Sequence, residues 1–246
     1  MGRGVSIARL VLDRPDRANA LDAATVERLH DELSAAGATA DVVVLEARGR
    51  AFCGGLDLAT LDEESDADLL LRLVRIQLLL ERLAALPPLT VALVQGAAVG
   101  AGADLALAAD VRLGLPGASL RFPGAGFGAV LGTARLAALT SPSFATEAAA
   151  TGRRISGIEA SEHGLLTPPG GRDEAEAEVT RLAEATRCLP PGTTAALRRA
   201  AGVPSVPDPL AQLVRSLAGR PGLRDRVRQY RDRSAPARTP APEGAR

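Results

Sequence analysis

The chain contains no lysine; all 29 of its basic residues are arginine, a bias we attribute to genomic base composition rather than to mechanism. Tryptophan is also absent, and aromatics make up 2% of the 246 residues, so any core must be built from Leu, Val and Ala. The length suffices for one large domain or two small ones, and 46% hydrophobic residues permit a sizeable core. The chain lacks an excess of either charge: 29 basic and 29 acidic residues sum to zero, which excludes a nucleic-acid binder held by bulk charge. The two cysteines, Cys53 and Cys188, are too few and too far apart for a disulfide framework, and a reduced cytoplasmic setting is expected. No long uncharged apolar run suggests a membrane span, and no basic-then-apolar leader is read at the N-terminus. No internal repeat is found, and no metal or redox cofactor is implied.

Strand and helix signals alternate along the first half. Val5 to Leu12 reads as a strand. Asp22 is suited to cap a helix from Ala23 to about Ala36, with Gly37 as its stop. Asp41 to Glu46 is a second strand, and Asp68 to Leu86 a long amphipathic helix halted by Pro87-Pro88. Thr90 to Val94 is a third strand, Ala103 to Ala109 a helix, and Val111 to Leu115 a further strand. This alternation predicts an α/β fold with a largely parallel sheet. Beyond Leu120 the pattern is helical: Thr133–Leu139, Pro142–Thr151, Gly157–His163, Glu174–Cys188, Thr193–Ala200, Leu210–Leu217 and Gly222–Arg233. The stretch from Ser234 to Arg246, rich in Pro and Ala, reads as a disordered tail.

Two glycine-rich turns stand out. The first is Ala51-Phe52-Cys53-Gly54-Gly55-Leu56-Asp57, and the second Gly96-Ala97-Ala98-Val99-Gly100-Ala101-Gly102-Ala103-Asp104. Each follows a strand-like run and is expected to open a helix, whose first N–H groups lack internal partners. If the turns converge, one N–H from each forms an oxyanion hole. A dinucleotide fingerprint fails on the second turn, because its third glycine would fall at Leu105.

Four motifs then occur in order: Arg14-Pro15-x-x-x-Asn19-Ala20-Leu21, Gly49-Arg50-Ala51-Phe52-Cys53-x-Gly55-x-Asp57-Leu58, Gly96-x-Ala98-x-Gly100-x-Gly102, and Ala109-Asp110-x-Arg112. Together they resemble the crotonase superfamily, the enoyl-CoA hydratase/isomerase fold, over roughly Val5 to Leu166 and more loosely to Arg233. The resemblance implies a spiral of β-β-α units with a helical C-terminal region. Residues 1–190 would form the core, 191–233 the helical region and 234–246 the tail. It also implies assembly as a homotrimer or hexamer. The implied partner is an acyl-CoA or acyl-carrier-protein thioester, with coenzyme A as part of the substrate and no separate cofactor.

By that resemblance the oxyanion donors are the backbone N–H groups of Leu56 and Ala101. Arg17, Ala18, Arg50, Gly54, Gly55, Gly100 and Gly124 fall where relatives bind substrate. Asp104 matches one of the two glutamates of hydratase-like members, one methylene shorter; an acid in the first turn of a helix equally serves as a cap. Gly124, after Pro123, falls where the second glutamate stands, and glycine can neither accept nor donate a side-chain proton. Naphthoate synthases with glycine at this place borrow bicarbonate as base, although the surrounding residues here do not otherwise resemble theirs. Asp57 is expected to cap a helix after Leu58, Cys53 to be packed rather than nucleophilic, and His30 and His163 to lie on helices outside the chemistry.

The sequence therefore points to an enolate-stabilising thioester enzyme, with hydration, dehydration or isomerisation as the leading chemistry. Decarboxylation or thioester hydrolysis on the same hole, and a non-catalytic partner subunit, are the alternatives.

Overall fold

A computed structural model describes residues 4–190, 192–201 and 208–234. Strands β1 (Ile7–Leu12), β2 (Val42–Ala47), β3 (Leu89–Val94) and β5 (Val111–Gly114) form a parallel sheet in the order β1-β2-β3-β5. A second, smaller sheet holds β4 (Ala97–Val99), β6 (Ser119–Arg121) and β7 (Arg154–Ser156), with β4 parallel and β7 antiparallel to β6. These three short strands have no counterpart in the sequence reading. Three residues are too few to display a period of two.

All six residues of β2 are buried, as expected of a parallel strand covered on both faces. Val43, Leu45 and Ala47 face the main core with α1 (Ala23–Thr39) and α2 (Asp66–Ala84). Val42 and Val44 face α7 (Arg172–Arg187) through Ala175, Val179 and Ala183. The core is made of Leu, Val and Ala around the single fully buried ring of Phe52.

Helix α1 runs past its expected end, so Gly37 lies inside it. The reason is packing: a Cβ on Gly37 would lie 3.0 Å from Leu86 Cδ1, and the missing side chain lets the helix approach the end of the α2 segment. The first glycine turn does not open a helix, contrary to expectation. The Asp57 carboxylate accepts from Ala59 N–H at 2.9 Å and closes a local turn. Helix α2 starts only at Asp66, behind a capping box formed by Ser65 and Asp68.

The second half is helical. It comprises α4 (Thr133–Leu139), α5 (Pro142–Thr151), α6 (Gly157–Glu162), α8 (Thr193–Ala200), α9 (Pro209–Ala218) and α10 (Leu223–Ser234), after the short α3 (Ala101–Leu107). Helices α9 and α10 pack Leu213, Leu217, Leu223 and Val227 against Leu61, Leu69 and Leu73. The Asp66 carboxylate accepts from Leu223 N–H at 2.9 Å and Arg224 N–H at 2.8 Å, which fixes the start of α10. Ser234, the first residue of the expected tail, ends α10; the rest of that tail lies outside the described residues.

One ion pair locks α8 to the sheet. The Arg198 guanidinium bonds the Asp110 carboxylate and the Leu86 and Pro88 carbonyls, while Asp110 also accepts from Thr90 N–H at 2.8 Å. Truncating one partner leaves the other charge partly buried and uncompensated. Arg198→Ala is expected to lower the unfolding free energy by about 3 kcal/mol, read by urea denaturation.

Candidate active site

The site is built where the two glycine turns zip together. Cys53 N–H donates to Ala97 O at 3.2 Å, and Val99 N–H donates to Cys53 O at 2.9 Å. Glycines permit this approach. A Cβ on Gly55 (φ +84°) would lie 2.5 Å from Val99 O and 3.4 Å from Ala101 N. A Cβ on Gly102 would lie 2.3 Å from Cys53 O.

The bonding pattern engages the neighbours of Leu56 and Ala101. Leu21 N–H donates to Gly55 O at 2.7 Å, and Asp57 N–H donates to Leu21 O at 3.1 Å. These bonds use the groups flanking Leu56 on one side, so in extended backbone the Leu56 N–H points to the other. Gly100 N–H donates to Arg121 O at 2.8 Å, and Ala101 is the first residue of α3, where the N–H has no intrahelical acceptor. Leu56, Gly54, Gly55, Gly100, Ala101 and Gly124 all line one cavity of about 110 Å³.

The Arg14–Leu21 loop braces the first turn. The buried Asn19 accepts from Arg14 N–H at 2.8 Å and donates to Arg48 O and Ala51 O, each at 2.8 Å. Arg14 pairs with Asp57 at 2.9 Å, and Arg72 donates to Asp57 O at 2.7 Å. Ala18 sits at the rim, its carbonyl accepting from Gly54 N–H at 2.8 Å. Arg17 and Arg50 are exposed, outside the cavity lining.

Asp104 lines this cavity from α3 and is 3% exposed. Its Oδ1 has no hydrogen-bond partner. Burial pushes its carboxyl well above the ordinary range, against the pull of the positive Arg135. The carboxyl rests on Gly132, where a Cβ would lie 1.8 Å from Oδ1. Only glycine leaves room for this acid.

Gly132 was not among the site residues picked from sequence, and neither were Phe122, Phe127, Leu131, Thr133 and Tyr230, which line the cavity. Tyr230, the single tyrosine of the chain, packs on Phe127 with ring centroids 5.5 Å apart. Its position on α10 carries no local sequence signal. Asp104 and Tyr230 are the ionisable side chains of the described lining.

The other candidates fall where expected. Cys53 is buried, with its thiol pushed up to about 12 by burial, so it is a packing residue and not a nucleophile. His30 sits beside Arg75 O at 3.2 Å, and His163 stacks on Phe144 at 4.2 Å. Among the described residues there is no cluster of His, Cys, Asp or Glu able to hold a metal, and no helix is long and apolar enough to cross a membrane.

Known proteins share the fold. The fold matches a Bordetella parapertussis protein named for enoyl-CoA hydratase/isomerase with TM-score 0.89 and 36% identity, covering 95% of this chain and 97% of that one. An enoyl-CoA hydratase from Bacillus anthracis matches with TM-score 0.74 and 26% identity, covering 93% of each chain. In sequence, the bovine mitochondrial enoyl-CoA hydratase domain-containing protein 2 is 33% identical over 184 residues, which is 70% of this chain and 60% of the relative. The chain thus spans about 60% of the length of the curated relatives it first matches. The family model for enoyl-CoA hydratase/isomerase covers residues 2–209, and the chain belongs to that family, the crotonase superfamily.

Proposed function

We propose that this protein acts on acyl thioesters of coenzyme A or a carrier protein, and that it stabilises an enolate between the Leu56 and Ala101 N–H groups. One observation supports the reading: Leu56, Ala101 and Asp104 line one cavity, and the Asp104 Oδ1 is buried there without a hydrogen-bond partner. Such donors act where charge develops, and each contributes about 2.7–4 kcal/mol to lowering the barrier. Asp104 is the proton-transfer group. Held protonated by its surroundings, it gives its proton to the α-carbon as the enolate collapses. Hydration of an enoyl thioester and double-bond isomerisation both include this step. Gly54, Gly55, Gly100 and Gly124 shape the wall, and Arg17, Ala18 and Arg50 serve the nucleotide end of coenzyme A from the outer loops.

A second reaction is favoured by the same carboxyl. Asp104 is a donor at rest and no second carboxylate lines the cavity among the described residues, so a substrate that makes its own carbanion suits the site. In decarboxylation the α-carbon–carboxylate bond breaks, carbon dioxide leaves, the electron pair enters the enolate, and Asp104 returns a proton to carbon.

Incubation with crotonyl-CoA, butyryl-CoA and malonyl-CoA in heavy water tests both. Deuterium entering the α-carbon supports the enolate. No exchange with any thioester, together with no measurable coenzyme A binding, would return the chain to the non-catalytic alternative.

The Gly124 gap is not a simple vacancy for a glutamate. Ala129 N–H donates to Gly124 O at 3.0 Å, and a Cβ on Gly124 would lie 3.2 Å from Ala129 O, so a side chain must push that turn back. Gly124→Glu is expected to cost about 1 kcal/mol of stability and to raise crotonyl-CoA hydration by less than tenfold, as measured by melting and by initial rates. A larger gain would show that the second carboxylate can simply be restored.

A further inference from the structure

A second cavity, of about 430 Å³, lies between α2, α4, α8 and α9. Its size falls in the ligand-pocket range of about 300–1,000 Å³. Thr133 lines both this cavity and the substrate cavity, so the Gly132–Thr133 turn is a shared wall. Leu80, Ala84 and Ala195 give the second cavity an apolar body.

Its charged groups are unevenly satisfied. Arg198 is fully engaged by Asp110 and by the Leu86 and Pro88 carbonyls. Glu81 accepts from the Gln77 amide at 2.9 Å. Arg135 differs: its half-buried guanidinium borders the cavity with no hydrogen bond or ion pair to any described residue, and the Asp104, Glu81 and Asp110 carboxylates attract it only at longer range. A guanidinium withdrawn from water without a partner is costly, and its planar fork matches a carboxylate. Arg199 also borders the cavity but is exposed to solvent, so Arg135 is the half-buried, unpaired guanidinium of a mostly apolar chamber, and a monoanion with a hydrocarbon body fits it better than a strongly hydrated dianion such as phosphate.

We propose that this cavity binds a small organic carboxylate, anchored by Arg135 with its apolar end against Leu80 and Ala84. The proposal does not rest on the thioester chemistry, because the site is read from a different chamber.

Isothermal titration calorimetry on the full chain tests it with hexanoate, its neutral isostere hexanol, and inorganic phosphate. Hexanoate is expected to bind at least about tenfold more tightly than hexanol or phosphate, and Arg135→Gln to weaken hexanoate by about tenfold or more while leaving hexanol unchanged. Arg135→Lys should restore part of the loss, which separates charge recognition from damage to the fold. Equal binding of hexanoate and hexanol by the unaltered protein, or no heat with either, would overturn the proposal without touching the thioester reading.

Competition identifies the source of the carboxylate. Displacement of hexanoate by adipyl-CoA but not by hexanoyl-CoA assigns it to the far end of an acyl group, and displacement by neither assigns it to a separate molecule. Displacement by both would place hexanoate in the thioester site and overturn the proposal.

Discussion

Replacing Gly55 with alanine is expected to slow α-proton exchange by roughly a hundredfold to a thousandfold, the cost of losing one oxyanion donor. The cause is backbone geometry. Gly55 has φ +84°, and an added Cβ would lie 2.5 Å from Val99 O. The methyl group cannot rotate away, so the Cys53–Leu56 strand must part from the Val99–Ala101 turn. That movement separates the two N–H groups whose convergence defines the hole. Stability should fall by about 1–3 kcal/mol from the left-handed conformation and the overpacking. Gly54→Ala is the control for folding. Its Cβ would lie 3.4 Å from Ala18 O, in ordinary contact, and its unfolding midpoint should match the parent.

The second large effect is expected at Asp104. Asp104→Asn keeps the shape and removes the transferable proton, so turnover should fall by roughly a hundredfold to ten-thousandfold. Stability should move the other way, because burial disfavours the charged form and asparagine has none. The pH dependence follows. The folded state holds the Asp104 proton above the pH at which the unfolded chain releases it. Between the ordinary carboxylate value near 3.9 and the raised folded value, the folded state therefore binds more protons, and stability falls as pH rises. This contribution is fully present below the unfolded value and is lost through the folded one. Asp104→Asn should flatten that slope in urea titrations repeated across pH. Activity that needs the protonated acid should persist above the ordinary carboxylate range and decline as pH rises through the raised folded value. A high-pH limb unchanged by the substitution would remove Asp104 from the mechanism.

The parallel sheet was legible because its strands are near-continuous apolar runs separated by capped helices. Asp22 caps α1 through Thr25 N–H at 2.8 Å, as its place in the sequence indicates. Two boundaries misread the role of a single residue. Gly37 is a packing glycine inside α1, and Asp57 closes a turn where a helix cap was expected. The second sheet was not legible, since its three-residue strands are defined by partners distant in sequence.

The site divides in the same way. Leu56, Ala101 and Asp104 were named from local motifs, and they line one cavity. What sets the state of Asp104 comes from elsewhere in the chain. Gly132 makes room for its carboxyl, and Arg135 supplies the opposing charge. Neither relation has a sequence spacing that announces it. Tyr230 reaches the cavity only because Asp66 fixes the start of α10 and Gly126 leaves space for the ring, where a Cβ would lie 2.9 Å from Tyr230 Cδ2.

The central claim is the hole itself, and a crystal structure with acetoacetyl-CoA tests it most directly. The account predicts the thioester oxygen about 2.7–3.1 Å from both Leu56 N and Ala101 N, with the α-carbon facing the Asp104 carboxyl. A thioester oxygen bound outside the reach of either N–H, with the acyl group elsewhere on the protein, would contradict it.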